Sequence, residues 1–151
     1  MKIGVMANDG QWEEMVSSSG REKLARVFSL DEAADAYVLL DGFTNNALLK
    51  IQKPVLLNSV TETLSVLKAG NNIVRINGWP GFLQRKIWEA AGNVDATMET
   101  IFSILGKEYI AVADEPGLVS ARSIAMIINE AYFASGENIS TKEEIDIAMK
   151  L

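Results

Sequence analysis

The stretch VADEPGLVSARSIAMIINEAYFASG, Val112 to Gly136, decides how the chain is divided. A short apolar run stops at Asp114-Glu115-Pro116-Gly117. A long, almost wholly apolar segment then begins, with Arg122, Asn129 and Glu130 planted inside it. Upstream of Pro116 short apolar runs alternate with helical spacing; downstream of Gly117 only helical spacing remains. That change predicts an α/β domain over residues 1–115 and the start of an all-helical segment over 116–151. Leu118 to Ser135 is apolar nearly all round a helix, which signals burial on more than one side. Arg122 and Asn129 stand seven residues apart and so share one face of it.

Working outward toward the N-terminus, KIGVM reads as a first strand, and QWEEMVS as a short helix closed by Gly20. LARVF is a second strand, followed by a helical turn at LDEAAD. AYVLL and PVLLN are short apolar runs of the kind a parallel sheet buries on both faces, with helical spacing at TNNALLKIQ between them. Thr61 to Ala69 reads as a helix with Thr61 as its N-cap and Gly70 as its stop. NIVRI is a further strand, while FLQRKIWEAAG fits helix or strand equally. Asp95 to Leu105 is a helix ending at Gly106, and EYIAVA is the last strand. This βαβ rhythm predicts an α/β fold with a mostly parallel sheet.

Composition narrows the function classes. The 151 residues are 48% hydrophobic and 23% charged, which is ordinary globular composition. A net charge of −6 leaves no basic excess to follow a phosphate backbone, so nucleic acid is not an expected partner. No apolar run reaches the roughly 18 residues that span a bilayer, and MKIGVMANDG lacks the apolar stretch of a signal peptide. The absence of cysteine removes disulfides and thiolate chemistry and suits a reducing cytoplasm. Histidine is absent as well, so the usual base near neutral pH and the commonest metal ligand are both missing. No metal site is expected, and acid–base work would fall to Asp, Glu, Lys, Tyr or a group on the ligand.

Asp114 to Leu151 resembles the junction and first helices of the 3-hydroxyacyl-CoA dehydrogenase family. That family shows D-x-P-G-F-V-x-N-R-I, then N-E-A, then D-I-D-x-A-M-K-L-G. The matching residues here are Asp114, Pro116, Gly117, Val119, Arg122 and Ile124, then Asn129-Glu130-Ala131, then Ile145-Asp146 and Ala148-Met149-Lys150-Leu151. Upstream, VLLNSVTETL resembles the family's strand ending in Asn-Thr-Ser-Ser, and IVRINGWPGFLQRKIWEAAG its His-Phe-Phe-Asn-Pro segment with a following glutamate. The first half is shorter than the family's usual dinucleotide domain. It looks like the reduced Rossmann-like domain of some 3-hydroxybutyryl-CoA dehydrogenase-like proteins.

The resemblance implies an NAD-dependent oxidoreductase of fatty acid metabolism acting on the 3-hydroxyl of an acyl-CoA. In the family a histidine takes the hydroxyl proton as hydride leaves C3, a glutamate orients it, and a serine and an asparagine hold the substrate. Carried onto this sequence, the histidine position falls on Asn77 and the glutamate on Glu89; Ser59 stands in the serine loop beside Asn58, with Thr61 as a substitute hydroxyl. Asparagine cannot accept a proton near pH 7. Glu89 would act directly if burial raised its pKa; the plainer alternative is an ion pair with Arg85 one helical turn away. Asn58, Ser59 and Thr61 serve equally well as caps of a helix beginning near Glu62. Trp79 and Trp88 would line an acyl pocket or simply fill core. The family's junction asparagine is replaced by Ala121.

The cofactor turn reads GVMANDGQ, so Gly4, Asn8 and Gly10 stand where the dinucleotide would sit. A G-x-G-x-x-G turn needs three glycines, for the tight turn, the approach of pyrophosphate and helix packing. Two leave NAD binding open and an ordinary turn as the alternative. Two functions therefore stand side by side: a dehydrogenase with weakened or altered activity, and a non-catalytic member that binds an acyl-CoA-like ligand or serves in assembly. In the family the helical domain mediates dimerisation and further helices follow the position of Leu151. A homodimer through the Leu118–Leu151 helices, including the helix from Thr141, is expected.

Overall fold

In the computed structural model, which describes residues 1–30 and 32–150, the apolar runs pair into one seven-stranded sheet. Asp31, inside the expected turn at LDEAAD, and Leu151, the last position of the expected C-terminal helix, lie outside the described residues. The chain forms two compact units, Met1–Leu118 and Val119–Leu151.

The first unit runs β1 (Ile3–Met6), α1 (Asp9–Ser19), β2 (Leu24–Arg26), β3 (Ala36–Leu39), α2 (Asn45–Leu48), β4 (Val55–Asn58), α3 (Leu64–Leu67), β5 (Ile73–Ile76), β6 (Ile87–Gly92), α4 (Ala96–Ile104) and β7 (Glu108–Ala111). Sheet order is β2-β1-β3-β4-β5-β6-β7. The first five are mutually parallel, β6 runs antiparallel to β5, and β7 is parallel to β6. This is a Rossmann-like α/β sheet, as the βαβ rhythm predicts. The parallel part, in order 2-1-3-4-5, has one strand fewer than the six of the full dinucleotide fold.

Alternate residues of the parallel strands feed two cores. Ile3, Val5, Val38, Leu56, Val74 and Ile76 pack with Trp12 and Met15 of α1 and Phe102 of α4 on one face. Tyr37, Leu39, Val55, Leu57 and Ile73 pack with Leu48 and Leu67 on the other. Coverage on both faces is why these strands read as continuous apolar runs rather than alternating ones.

Three local expectations change. FLQRKIWEAAG resolves into a turn and a strand: Trp88 and Ala90 supply one core, and β6 closes the sheet against β5. The expected helix at Thr61–Ala69 is shorter, because Thr63, not Thr61, caps it by accepting from Val66 N. It ends at Lys68, in left-handed conformation at φ 52°, before Gly70 is reached. The described residues of LDEAAD form bend and loop rather than helix; Glu32 accepts from the backbone of Phe28 and Ser29, so its carboxylate caps the turn after β2.

The second unit contains α5 (Ser120–Gly136) and α6 (Lys142–Ala148). α5 starts two residues later than the apolar run, because Gly117 and Leu118 adopt φ of 80° and 50°. Thr141 and Glu144 form a reciprocal capping box that starts α6. The all-round burial expected of α5 is not met within the chain: Met126, Tyr132 and Phe133 are 63%, 77% and 60% exposed. Between the helices lies a groove of about 430 Å³ lined by Ile128, Tyr132, Ile145 and Met149, flanked by Lys142 and Asp146.

Candidate active site

In open α/β sheets, ligands bind beyond the carboxyl ends of the strands where the strand order reverses. Here that point lies between β1 and β3, and the loops after β1, β3, β4 and β5 converge on it. Asn58, at the end of β4, ties two neighbours together: its Nδ2 donates to Leu40 O at 3.1 Å, and its Oδ1 accepts from Gly78 N at 2.9 Å. Gln11 Nε2 reaches the same Leu40 carbonyl at 3.4 Å, and Asn8 Nδ2 donates to Asp41 at 3.2 Å. A side chain at position 78 would bring its Cβ within 2.8 Å of Asn58 Cγ, so glycine is required there.

Asn77 follows β5 directly and is buried. Its Oδ1 accepts from Trp79 N at 3.1 Å, while its Nδ2 is buried without a hydrogen-bond partner. The β5–β6 ladder pairs Arg75 with Ala91 and Ile76 with Ala90. Continued one step, that register sets Asn77 opposite Glu89. Two positions with eleven residues between them in sequence are thereby brought opposite each other. Glu89 lies half-buried in β6 opposite Ile110 of β7. Its expected pairing with Arg85 by helical spacing fails, because the segment is extended and Arg85 instead lies over the Phe82 ring at 3.8 Å.

Ser59 Oγ donates to Glu62 O at 2.9 Å, which closes the loop after β4. Thr61 lies exposed in that loop and caps nothing, the capping role having passed to Thr63. Trp79 is half-buried and edge-on to Phe82, with ring centroids 6.1 Å apart. Trp88 is core, edge-on to Phe102.

Two cationic groups that sequence reasoning passed over hold these loops. Arg75 is wholly buried, forms an ion pair with Asp114, and donates from Nε to Ser59 O at 2.8 Å and from an Nη to Val60 O at 3.1 Å. Asp114 in turn accepts from Leu64 N at 2.9 Å, capping α3 from the junction. Lys107 donates to the carbonyls of Leu83 and Arg85 at 2.7 and 3.1 Å and faces the Trp88 ring, and its burial pushes its pKa down. Arginine inside an apolar strand, as in NIVRI, and lysine beginning one, as in KEYIAVA, were the available signals. Among the described residues no group of three or more His, Cys, Asp or Glu could hold a metal ion. No helix among them is long and apolar enough to cross a membrane.

The residues after β1 do not form a pyrophosphate cradle. Gly4 lies inside β1, where an added Cβ would meet the Tyr37 ring at 3.0 Å; it is a packing glycine. Gly10 is in the first turn of α1, and a Cβ there meets only Asn8 Oδ1 at 3.6 Å, so no close backbone approach requires it. Asn8 and Gln11 form a reciprocal capping box, Gln11 N donating to Asn8 Oδ1 at 3.0 Å and Asn8 N to Gln11 Oε1 at 3.3 Å. These residues do not fit the dinucleotide that the family resemblance implies.

No protein-family model matches this chain. It is similar to 3-hydroxyadipyl-CoA dehydrogenase of Escherichia coli, 42% identical over 65 residues that cover 41% of this chain and 14% of that protein. It is similar to 3-hydroxybutyryl-CoA dehydrogenase of Clostridioides difficile, 30% identical over 99 residues covering 62% of this chain and 35% of that protein. The matches thus span well under half of these relatives' lengths. In fold it is similar to the 3-hydroxyacyl-CoA dehydrogenase of Archaeoglobus fulgidus, with a TM-score of 0.72 and 12% identity over 99% of this chain and 68% of that one. The chain is thus similar in part of its sequence to 3-hydroxyacyl-CoA dehydrogenases and shares their Rossmann-like fold.

Proposed function

We propose that this chain is a 3-hydroxyacyl-CoA dehydrogenase-like protein that holds an acyl-CoA-type ligand of fatty acid metabolism in the cytoplasm, with the family's oxidoreductase chemistry largely disabled. The observation that carries this reading is Asn77. It stands at the carboxyl end of β5, at the position that resembles the family's histidine, with its oxygen already taken by Trp79 N. A carboxamide offers a donor to a ligand oxygen but no base for a hydroxyl proton, and general-base help is worth about 10²–10⁴-fold in rate. The buried, unpartnered Nδ2 of Asn77 is a donor suited to a carbonyl or hydroxyl oxygen.

Asn58 and Ser59 bind their own backbone neighbours, so their part is to fix the loops around Asn77. Trp79, half-buried on the same turn, supplies an apolar face for an acyl chain. Thr61, exposed in the loop after β4, offers a hydroxyl for the ligand's polar end. The assembly part of the reading rests on α5 and α6. Their exposed Met126, Ile127, Tyr132, Phe133 and Ile147 make an apolar surface that a second copy would cover, giving a homodimer.

Calorimetric titration of the intact chain with acetoacetyl-CoA tests the ligand. Saturable binding that weakens at least tenfold in Asn77→Ala supports the reading. Absence of heat with the parent protein, or equal binding by the variant, would overturn it.

A further inference from the structure

We propose that the chain closes its own dinucleotide phosphate site with a carboxylate of its own, Asp9, held there by Arg26. α1 begins at Asp9, and the positive end of a helix is where the α/β fold ordinarily receives a pyrophosphate. Here the anion at that end belongs to the chain. Asp9 Oδ1 accepts from an Nη of Arg26 at 2.5 Å.

Arg26 is fixed from three further directions. The same Nη donates to Ala7 O at 3.3 Å, and its guanidinium lies 5.8 Å from the Trp12 ring and 5.4 Å from that of Phe28. The arginine at the end of β2 is therefore committed to the loop and to Asp9, and is not held out toward solvent for an incoming phosphate. The pocket at the switch point, about 210 Å³ and lined by Ala7, Asn8, Phe28 and Asp41 among others, carries a carboxylate on its rim in Asp41. Asp41 is joined to Asn8, whose own amide and side chain are closed into the capping box. A pyrophosphate entering here would meet the Asp41 carboxylate, and to reach the positive end of α1 it would have to displace Asp9 from the Arg26 pair. It would find no glycine cradle in exchange.

The chain's acyl-ligand reading does not depend on this site, and the two fail separately. Acetoacetyl-CoA titration reports on the loops around Asn77, while binding of NADH and ADP reports on α1. The test is fluorescence titration with NADH and calorimetry with ADP and adenosine, on the parent, Asp9→Asn, and Asp9→Asn/Asp41→Asn. Both aspartates are exposed, and asparagine keeps their shape, so the fold is expected to survive in each; thermal melting by circular dichroism checks this.

The parent is expected to show no saturable binding of NADH or ADP up to millimolar concentration. The double variant is expected to bind both at least about tenfold more tightly, with an affinity that falls as salt rises. Adenosine, which lacks the pyrophosphate, is expected to be unaffected by either substitution. Micromolar NADH binding by the parent overturns the proposal. So does a double variant that gains no NADH or ADP binding, or one that gains adenosine binding by the same factor.

Discussion

Replacing Asp114 with alanine would isolate a guanidinium that the fold buries completely. Arg75 is 0% exposed and sits on β5 between Leu57 of β4 and Ala91 of β6, with Asp114 as its charged partner. Removing one member of a buried pair costs about 3–5 kcal/mol. The backbone carbonyls of Ser59 and Val60 remain to accept from Arg75, which puts this case at the lower end of that range. Asp114→Ala also removes the acceptor for Leu64 N, a cap worth about 1 kcal/mol. The expected loss is therefore about 4 kcal/mol. At a urea slope of about 1.5 kcal/mol/M, this lowers the midpoint by roughly 2.5 M. Arg75→Met combined with Asp114→Ala should recover more than half of that loss, because no unpaired charge is left inside. Urea unfolding followed by tryptophan fluorescence measures all three variants. A single-variant cost below about 1 kcal/mol, or a double variant no more stable than Asp114→Ala, would refute the clamp.

Gly78→Ala forces a Cβ to 2.8 Å from Asn58 Cγ and displaces the amide that links β4 to the loop after β5. It should cost about 1–3 kcal/mol in unfolding free energy; an unchanged midpoint would show the loops to be loosely joined. Glu144 accepts from Thr141 N and from the hydroxyls of Thr141 and Ser140, which holds its carboxyl below the ordinary 4.5. A depressed carboxylate stabilises above its unfolded value and loses that contribution as pH falls through its folded one. Protection of the amides in the first turn of α6, taken relative to their intrinsic exchange rates, should therefore fall as the pH drops below about 4.5, and Glu144→Gln should flatten the profile. For the homodimer, light scattering should give twice the 16.5 kDa chain mass at micromolar concentration, and Ile127→Asp should shift it to monomer; a monomeric parent contradicts the pairing.

The sheet was legible because parallel strands buried on both faces carry continuous apolar runs. KIGVM, AYVLL, PVLLN and NIVRI each became a strand for that reason. FLQRKIWEAAG was ambiguous because Trp88 and Ala90 alternate with half-exposed or polar neighbours, and only pairing with β5 settles it as extended. The misplaced cap of α3 has a similar cause. Thr61 and Thr63 are equivalent in the sequence, and the choice is made by Asp114, fifty residues away, taking Leu64 N. The site was legible only through resemblance. Asn77 and Glu89 carry no local signal, and their approach follows from the antiparallel register. Asp9, Arg26 and Asp41 were invisible as a group because helix start, strand end and turn meet only in the folded sheet.

With Asn77 where the family's histidine would stand, that position offers no proton acceptor. A direct test follows NADH formation from 3-hydroxybutyryl-CoA and NAD, each at a fixed millimolar concentration, beside a relative that carries histidine at this position. Turnover is expected to be lower by at least about 10²–10⁴-fold, the share that a general base supplies, and unchanged by Glu89→Gln. Turnover within tenfold of that relative, abolished by Glu89→Gln, would contradict it and make that carboxylate the base.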